Sequence, residues 1–255
     1  MTRSNFLPLA LSFCVAASAA ASADPYAGPA KPALPPSSFT WDVSRTALVV
    51  IDPQVDFMSP KGASWPLVGE SVSEQKLVPH LLQLFEATRR AGIAVAISPH
   101  YYYPHDHRWK FEGPAETVQH RLRMFDRAGA LVLDGFRGSG ADFMPEFKRY
   151  IETGDTIIAS PHKLYGPQSN DLMLQLRKQH IDKIILAGMA ANLCVESHLR
   201  EFIERGFEVV VVRDAIAGPK LPDGDGYMSA LVNFRYMANA VMTTDDVLKL
   251  IGNAE

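Results

Sequence analysis

From Thr46 onward, short β-branched runs take turns with amphipathic stretches, and that alternation leaves few folds open. "TALVVID", "GIAVAIS", "DTIIAS", "DKIILAG" and "FEVVVVRDA" have strand length, and "NAVMTT" is a weaker sixth. The runs are almost continuously apolar instead of alternating with polar residues, so both faces of the sheet must be covered, as in parallel strands joined by crossover helices. Helices are predicted at Val72 to Ala91, Asp142 to Tyr150, Ser169 to His180, Leu193 to Arg205 and Tyr227 to Asn239. The fold class is therefore α/β, a three-layer α/β/α sandwich on a six-stranded, mainly parallel, Rossmann-like sheet with right-handed crossovers. A hydrophobic content of 47% in 255 residues is enough for one large domain, assigned to residues 41–255.

In such sheets ligands bind outside the carboxyl ends of the strands. The residues there are Asp52, Ser98 to His100, Ser160 to Lys163, the turn from Gly188 to Cys194, and Asp214. An acid, a lysine and a thiol thus converge on one rim. Cys194 opens the predicted helix "VESHLREFIERG", with Gly206 as its C-cap. A thiol in a first helical turn meets the positive end of the macrodipole and free N–H groups, which are expected to lower its pKa and could hold an oxyanion. A small buried hydrophobe is the other reading of a free cysteine. Asp52 is costly to bury unless it is paired or used, and Lys163 is its natural counter-ion. A plain structural ion pair is the alternative, but thiol, carboxylate and cation together meet the needs of a nucleophile, its base and an orienting group.

The N-terminus carries a different signal. Residues 1–23 have a basic start at Arg3, an apolar run from Phe6 to about Ala20 and the small-x-small end Ala21-Ser22-Ala23, which reads as a signal peptide. A lipoprotein reading would acylate Cys14, against which the bulky Phe13 argues. Cleavage after Ala23 would leave Cys194 as the single thiol, so that no intramolecular disulfide could form in a periplasmic or secreted protein. Residues 24–40 are proline-rich and read as an extended arm or linker, with disorder favoured. A net charge of −3 without a basic run gives no footprint for nucleic acid. Beyond the signal no apolar stretch is long enough for a membrane partner.

"ALVVIDPQVDF", "SPHKLYG" and "AGMAANLCVESHLREFIERGFEVVVVRDA" together resemble the isochorismatase-like cysteine hydrolase superfamily, from about Thr46 to Val247. It includes nicotinamidases, carbamoylsarcosine and ureidoacrylate amidohydrolases, biuret hydrolases and isochorismatases. The resemblance puts a catalytic triad on Asp52, Lys163 and Cys194, and pocket residues on Gln54 and Phe57, although Phe57 could be plain core. It implies a cis peptide between Met189 and Ala190, and an oxyanion hole from the backbone N–H groups of Ala190 and Cys194. The implied activity is hydrolysis of a C–N bond in a small amide or ureido compound through an acyl-enzyme on Cys194. Relatives acting on isochorismate cleave a vinyl ether and commonly lack the cysteine. A non-catalytic binding protein on the same fold is the alternative from another class. Dimers or tetramers are common in the superfamily, so a homo-oligomer is expected.

"SPHYYYPHDHRW" raises the question of a metal. Nicotinamidases of the superfamily bind one through an Asp-x-His and a further His in this loop. Equating the Asp-His pairs sets Pro99 and Tyr101 in the first two ligand positions and leaves His107 alone, so no metal and no cofactor are expected. His100, Tyr101 and Trp109 are expected to line the substrate pocket instead. The insert at 121–146, with Gly135, Gly138 and Gly140, lacks the spacing and lysine of a phosphate loop and reads as a lid or oligomer contact. "KLPDGDGYMSALVNF" is too short for a calcium loop and reads as a turn before a helix.

Overall fold

A computed structural model describes residues 24–252, apart from 36, 38 and 165, so the predicted signal segment 1–23 lies outside the described residues. The strands are β1 (Thr46–Ile51), β2 (Ala94–Ser98), β3 (Ile157–Ile158), β4 (Lys183–Gly188), β5 (Glu208–Ile216), β6 (Lys220–Leu221), β7 (Gly224–Asp225) and β8 (Ala240–Met242). Six of them form one sheet in the order β3-β2-β1-β4-β5-β8, with every pairing parallel. β6 and β7 make a small antiparallel hairpin.

The helices are α1 (Val55–Met58), α2 (Trp65–Glu74), α3 (Leu77–Arg90), α4 (Pro114–Leu122), α5 (Lys148–Ile151), α6 (Leu172–Lys178), α7 (Glu196–Glu204), α8 (Gly226–Met237) and α9 (Thr244–Gly252). The two faces of the sheet explain the unbroken apolar runs. Leu48, Val50, Ile185 and Val210 pack with Leu77, Leu81 and Phe85 of α3 and Val247 of α9. Their neighbours Val49, Ile184, Leu186 and Val211 pack with Leu172 of α6, Phe202 of α7 and Phe234 of α8.

Helix boundaries depart from expectation for local reasons. The predicted helix from Val72 is two helices, because Lys76 sits in the left-handed region at φ 48° and turns the chain between α2 and α3. The one from Asp142 shrinks to α5, because the Asp142 carboxylate accepts from the N–H groups of Gly138 and Phe143 and so holds its own residue in the preceding loop. α4, unforeseen, begins with Pro114, and Glu116 reaches back to accept from the Gly113 N–H.

The first residues of the proline-rich arm, 24–27, lie against the domain. Tyr26 packs edge-on against Tyr227 at 5.1 Å and its hydroxyl donates to Glu74. Arg235 donates to the carbonyls of Tyr26 and Ala27, and Asp24 pairs with Arg213. "KLPDGDGYM" forms the β6–β7 hairpin, and Asp225 caps α8 by accepting from the Met228 N–H.

Candidate active site

The centre of the sheet's carboxyl rim is built by a close approach of two strand ends. Gly188, at φ 115°, ends β4 so near β1 that a Cβ there would lie 2.1 Å from the Ile51 carbonyl oxygen. The chain then passes through a cis Met189–Ala190 peptide into a single π-helical turn, Ala191–Val195, ahead of α7. This turn sets the Cys194 thiol beside Asp52, the residue that follows β1 and itself has a φ of 50°. The thiol also donates to the Leu164 carbonyl at 3.4 Å.

Asp52 and Cys194 are fully buried, and so are His100, His162 and His198. The group that meets the Asp52 carboxylate is His162, whose Nε2 lies 2.8 Å from Oδ1. The other ring nitrogen, Nδ1, faces the Lys163 carbonyl. With Asp52 ionised both partners accept, an arrangement that favours a ring carrying two N–H groups, the imidazolium. Burial works against that charge, but the Asp52 carboxylate outweighs it and raises the His162 pKa. Burial likewise raises Asp52, opposed by His162 and by the thiol.

Lys163, assigned to the triad by resemblance, does not reach Asp52. Its Nζ donates to Asp106 Oδ2 and, at 2.8 Å, to the Tyr101 carbonyl, and it lies over the rings of Tyr102 and Tyr103. The reason is the direction of side chains along an extended segment: His162 points into the core, so its neighbour Lys163 points to the rim.

The thiol itself runs against expectation. Burial, followed by the charge and hydrogen bond of Asp52, pushes Cys194 well above an ordinary thiol, while the N–H groups of Ala190 and Cys194 pull the other way. The helix-terminus effect is present but overruled, so the resting sulfur is protonated and stands next to a carboxylate that can take its proton.

His198 supports this group from behind. Its Nδ1 donates to the Cys194 carbonyl at 2.6 Å, leaving Nε2 to accept from the Ser98 hydroxyl at 2.9 Å, which in turn accepts from Asn170. Burial and then the His162 charge hold His198 neutral, well below the usual histidine range. His100 is neutral for the same two reasons, helped by Lys163, and neither of its ring nitrogens has a hydrogen-bond partner. Its ring stacks on Phe125 at 4.7 Å and lies 5.1 Å from that of His162.

Of the other expected pocket residues, Tyr101 is buried beside this group and offers its carbonyl to Lys163. Gln54 is spent on structure: its amide donates to the carbonyls of His100 and Ala141 and accepts from the His100 N–H, tying the ends of β1 and β2 together. Phe57 is core, 4.9 Å from Phe125. Trp109 packs with Tyr102 and His120. Of the loop histidines, His105 lies near Asp106 and His107 pairs with Asp126. His162 and His198 were missed by sequence reasoning, although both stand inside quoted motifs.

The family model described as "Isochorismatase domain" matches residues 46–246. The ureidoacrylate amidohydrolase RutB of Stutzerimonas stutzeri is 27% identical over 221 residues, covering 82% of this chain and 84% of its own. The crystal structure of a cysteine hydrolase from Pseudomonas syringae superposes with a TM-score of 0.71 at 22% identity, over 88% of this chain and 100% of that one. The N-carbamoylsarcosine amidase of Thermoplasma acidophilum superposes with a TM-score of 0.57 at 21% identity, over 79% and 97%. With a parallel α/β sheet, a thiol and a carboxylate at its rim, and a family model that spans most of its length, the chain belongs to the isochorismatase domain family.

Proposed function

We propose that the protein is a cysteine hydrolase that cleaves a C–N bond of a small amide or ureido compound, with Cys194 as nucleophile and Asp52 as base. The observation that carries this reading is the convergence on one buried sulfur of a carboxylate and two backbone N–H groups, those of Ala190 and Cys194. The carboxylate beside the protonated thiol is placed to accept its proton when substrate arrives. The names of the relatives, a ureidoacrylate amidohydrolase and an N-carbamoylsarcosine amidase, favour the ureido or amide class.

Asp52 takes the Cys194 proton as the sulfur attacks the substrate carbonyl. The oxyanion is held by the N–H groups of Ala190 and Cys194. Asp52 returns the proton to the leaving nitrogen, and a thioester remains on Cys194. Water, deprotonated by Asp52, then attacks the thioester, releasing a carboxylic or carbamic acid and restoring the thiol. His162 remains the imidazolium throughout and keeps Asp52 ionised in a place where burial favours its neutral form. Lys163 acts outside this cycle, holding the Asp106 loop against the site.

The signal-like residues 1–23 support export to the periplasm or beyond, as part of the same proposal. An ammonia-release screen of the purified protein against primary amides, ureido acids and biuret-like compounds tests the activity, with Cys194→Ala as control. Turnover by Cys194→Ala equal to that of the parent would refute the cysteine mechanism.

A further inference from the structure

The buried side chains around the thiol form a donor set that the hydrolytic cycle does not exhaust. His100, His162 and Cys194 each offer one ligand atom, all within 4.8 Å of one another, and none of the three residues is exposed. Both nitrogens of His100 lack a partner, and Oδ2 of Asp52 has none apart from the neighbouring thiol. Orphaned polar atoms in so dry a place ask for a ligand, since a buried group without a hydrogen bond costs roughly 1–3 kcal/mol. Water could answer one of them. Two histidines and a thiolate together, with a free carboxylate oxygen alongside, suit a Zn2+-class cation better than they suit magnesium or calcium, which prefer oxygen.

We propose that His100, His162 and Cys194 form a site for a divalent cation of the Zn2+ class, and that its occupation takes the nucleophilic thiol out of service. Zinc bonds of about 2.0–2.3 Å bring tetrahedral donors to roughly 3.3–3.8 Å from one another. The donor-to-donor distances therefore close by up to about 1.5 Å, a movement shared among the side-chain torsions of the three residues. His162 enters by giving up one of its two present partners, the Asp52 carboxylate or the Lys163 carbonyl. The fourth position falls to Asp52 or to water, the pattern of three protein ligands and one open place. Two protons leave, one from the Cys194 thiol and one from the His162 imidazolium, while His100 binds as the neutral ring; nothing is oxidised or reduced. The loop histidines His105 and His107 take no part, because Asp106 and Asp126 engage them elsewhere. The inhibitory half of this proposal rests on reading Cys194 as the nucleophile; the binding half does not.

The test uses the purified, chelator-treated protein titrated with Co2+, then with Zn2+ as competitor. One ion per chain and a sulfur-to-cobalt charge-transfer absorption are expected, with hydrolysis and Cys194 alkylation both suppressed in step with loading. His100→Ala should weaken Co2+ binding at least about a hundredfold, since even partners behind the ligands are worth 10–100-fold, and His107→Ala should leave it unchanged. No absorption in the parent protein overturns the proposal, and so does undiminished binding by His100→Ala. If circular dichroism shows that His100→Ala has not folded, Cys194→Ser decides: a full equivalent of Zn2+ retained there overturns the site, and its loss upholds it. Hydrolysis by the metal-free protein with no metal binding would sink this inference alone. Metal binding by a protein that turns over nothing would sink the hydrolase reading and leave the site.

Discussion

Removing His162 and removing Lys163 should have opposite weights, although the two are neighbours in sequence. His162→Ala leaves the Asp52 carboxylate wholly buried without its cation. Breaking one side of a buried pair costs about 3–5 kcal/mol, up to the point where the remaining group neutralises itself. Burial already raises Asp52, so protonation is the relief it will take. A protonated Asp52 cannot accept the thiol proton, and the loss of a general base is worth about 10²–10⁴ in rate. Lys163→Ala instead removes a partner of Asp106, whose Oδ2 still accepts from the Tyr103 N–H. That costs about 1.5–3 kcal/mol of stability, the range for a hydrogen bond to a charged group, and less than about tenfold in kcat. The assay is ammonia release on whichever substrate the screen identifies, paired with urea unfolding of each variant. His162→Lys adds a pH arm. The parent should lose activity as pH rises through the raised pKa of His162, and an ammonium in its place should move that limb upward, because lysine holds its proton to about pH 10. Abolished turnover in Lys163→Ala, with His162→Ala within tenfold of the parent, would refute the reasoning.

Three further outcomes are expected. His100 and His198 have pKa values depressed well below 6.5, so the unfolded chain binds protons first as pH falls; their contribution is complete above about 6.5 and should drain away below it, at up to about 1.4 kcal/mol per pH unit for each ring. The raised His162 offsets about one of these two rings, so a net loss of stability is expected below about pH 6.5, and an unfolding free energy that rises as pH falls from 6.5 to 5.5 would contradict their neutral burial. Iodoacetamide should label Cys194 slowly at neutral pH in the absence of substrate, because the thiol titrates above its ordinary value; labelling faster than a free thiol at pH 7 would show that the helix terminus wins after all. Gly188→Ala, which sets a Cβ 2.1 Å from the Ile51 oxygen at a left-handed φ, should cost at least about 3 kcal/mol in urea unfolding and displace the turn that carries Cys194.

The sheet was legible because burial on both faces writes itself as unbroken runs such as Thr46–Ile51 and Lys183–Gly188. Helix ends were less so, since Lys76 and Asp142 act through a backbone angle and a side-chain bond that leave no mark on periodicity. Asp52 and Cys194 could be placed on the rim from their positions after strands. The choice between His162 and Lys163 could not, because it depends on which of two adjacent side chains turns inward. The parallel bridge that pairs His100 with His162 settles that choice, and it joins residues far apart in the chain. His198 was hidden differently: its place on α7 is one turn from Cys194, and its partner Ser98 comes from another strand end.

The docked arm has a mechanical consequence. Tyr26 touches Tyr227 of α8 with its ring and Glu74 of α2 with its hydroxyl, so one side chain clasps the helical layers on opposite sides of the sheet. Arg235 and Arg213 fasten the chain on either side of it. A protease that cut the chain between Tyr26 and the domain would release this clasp while both layers stay packed on the sheet. Among the described residues Cys194 is the one cysteine and it is free, so this small belt joins the two layers by contacts instead of by a disulfide.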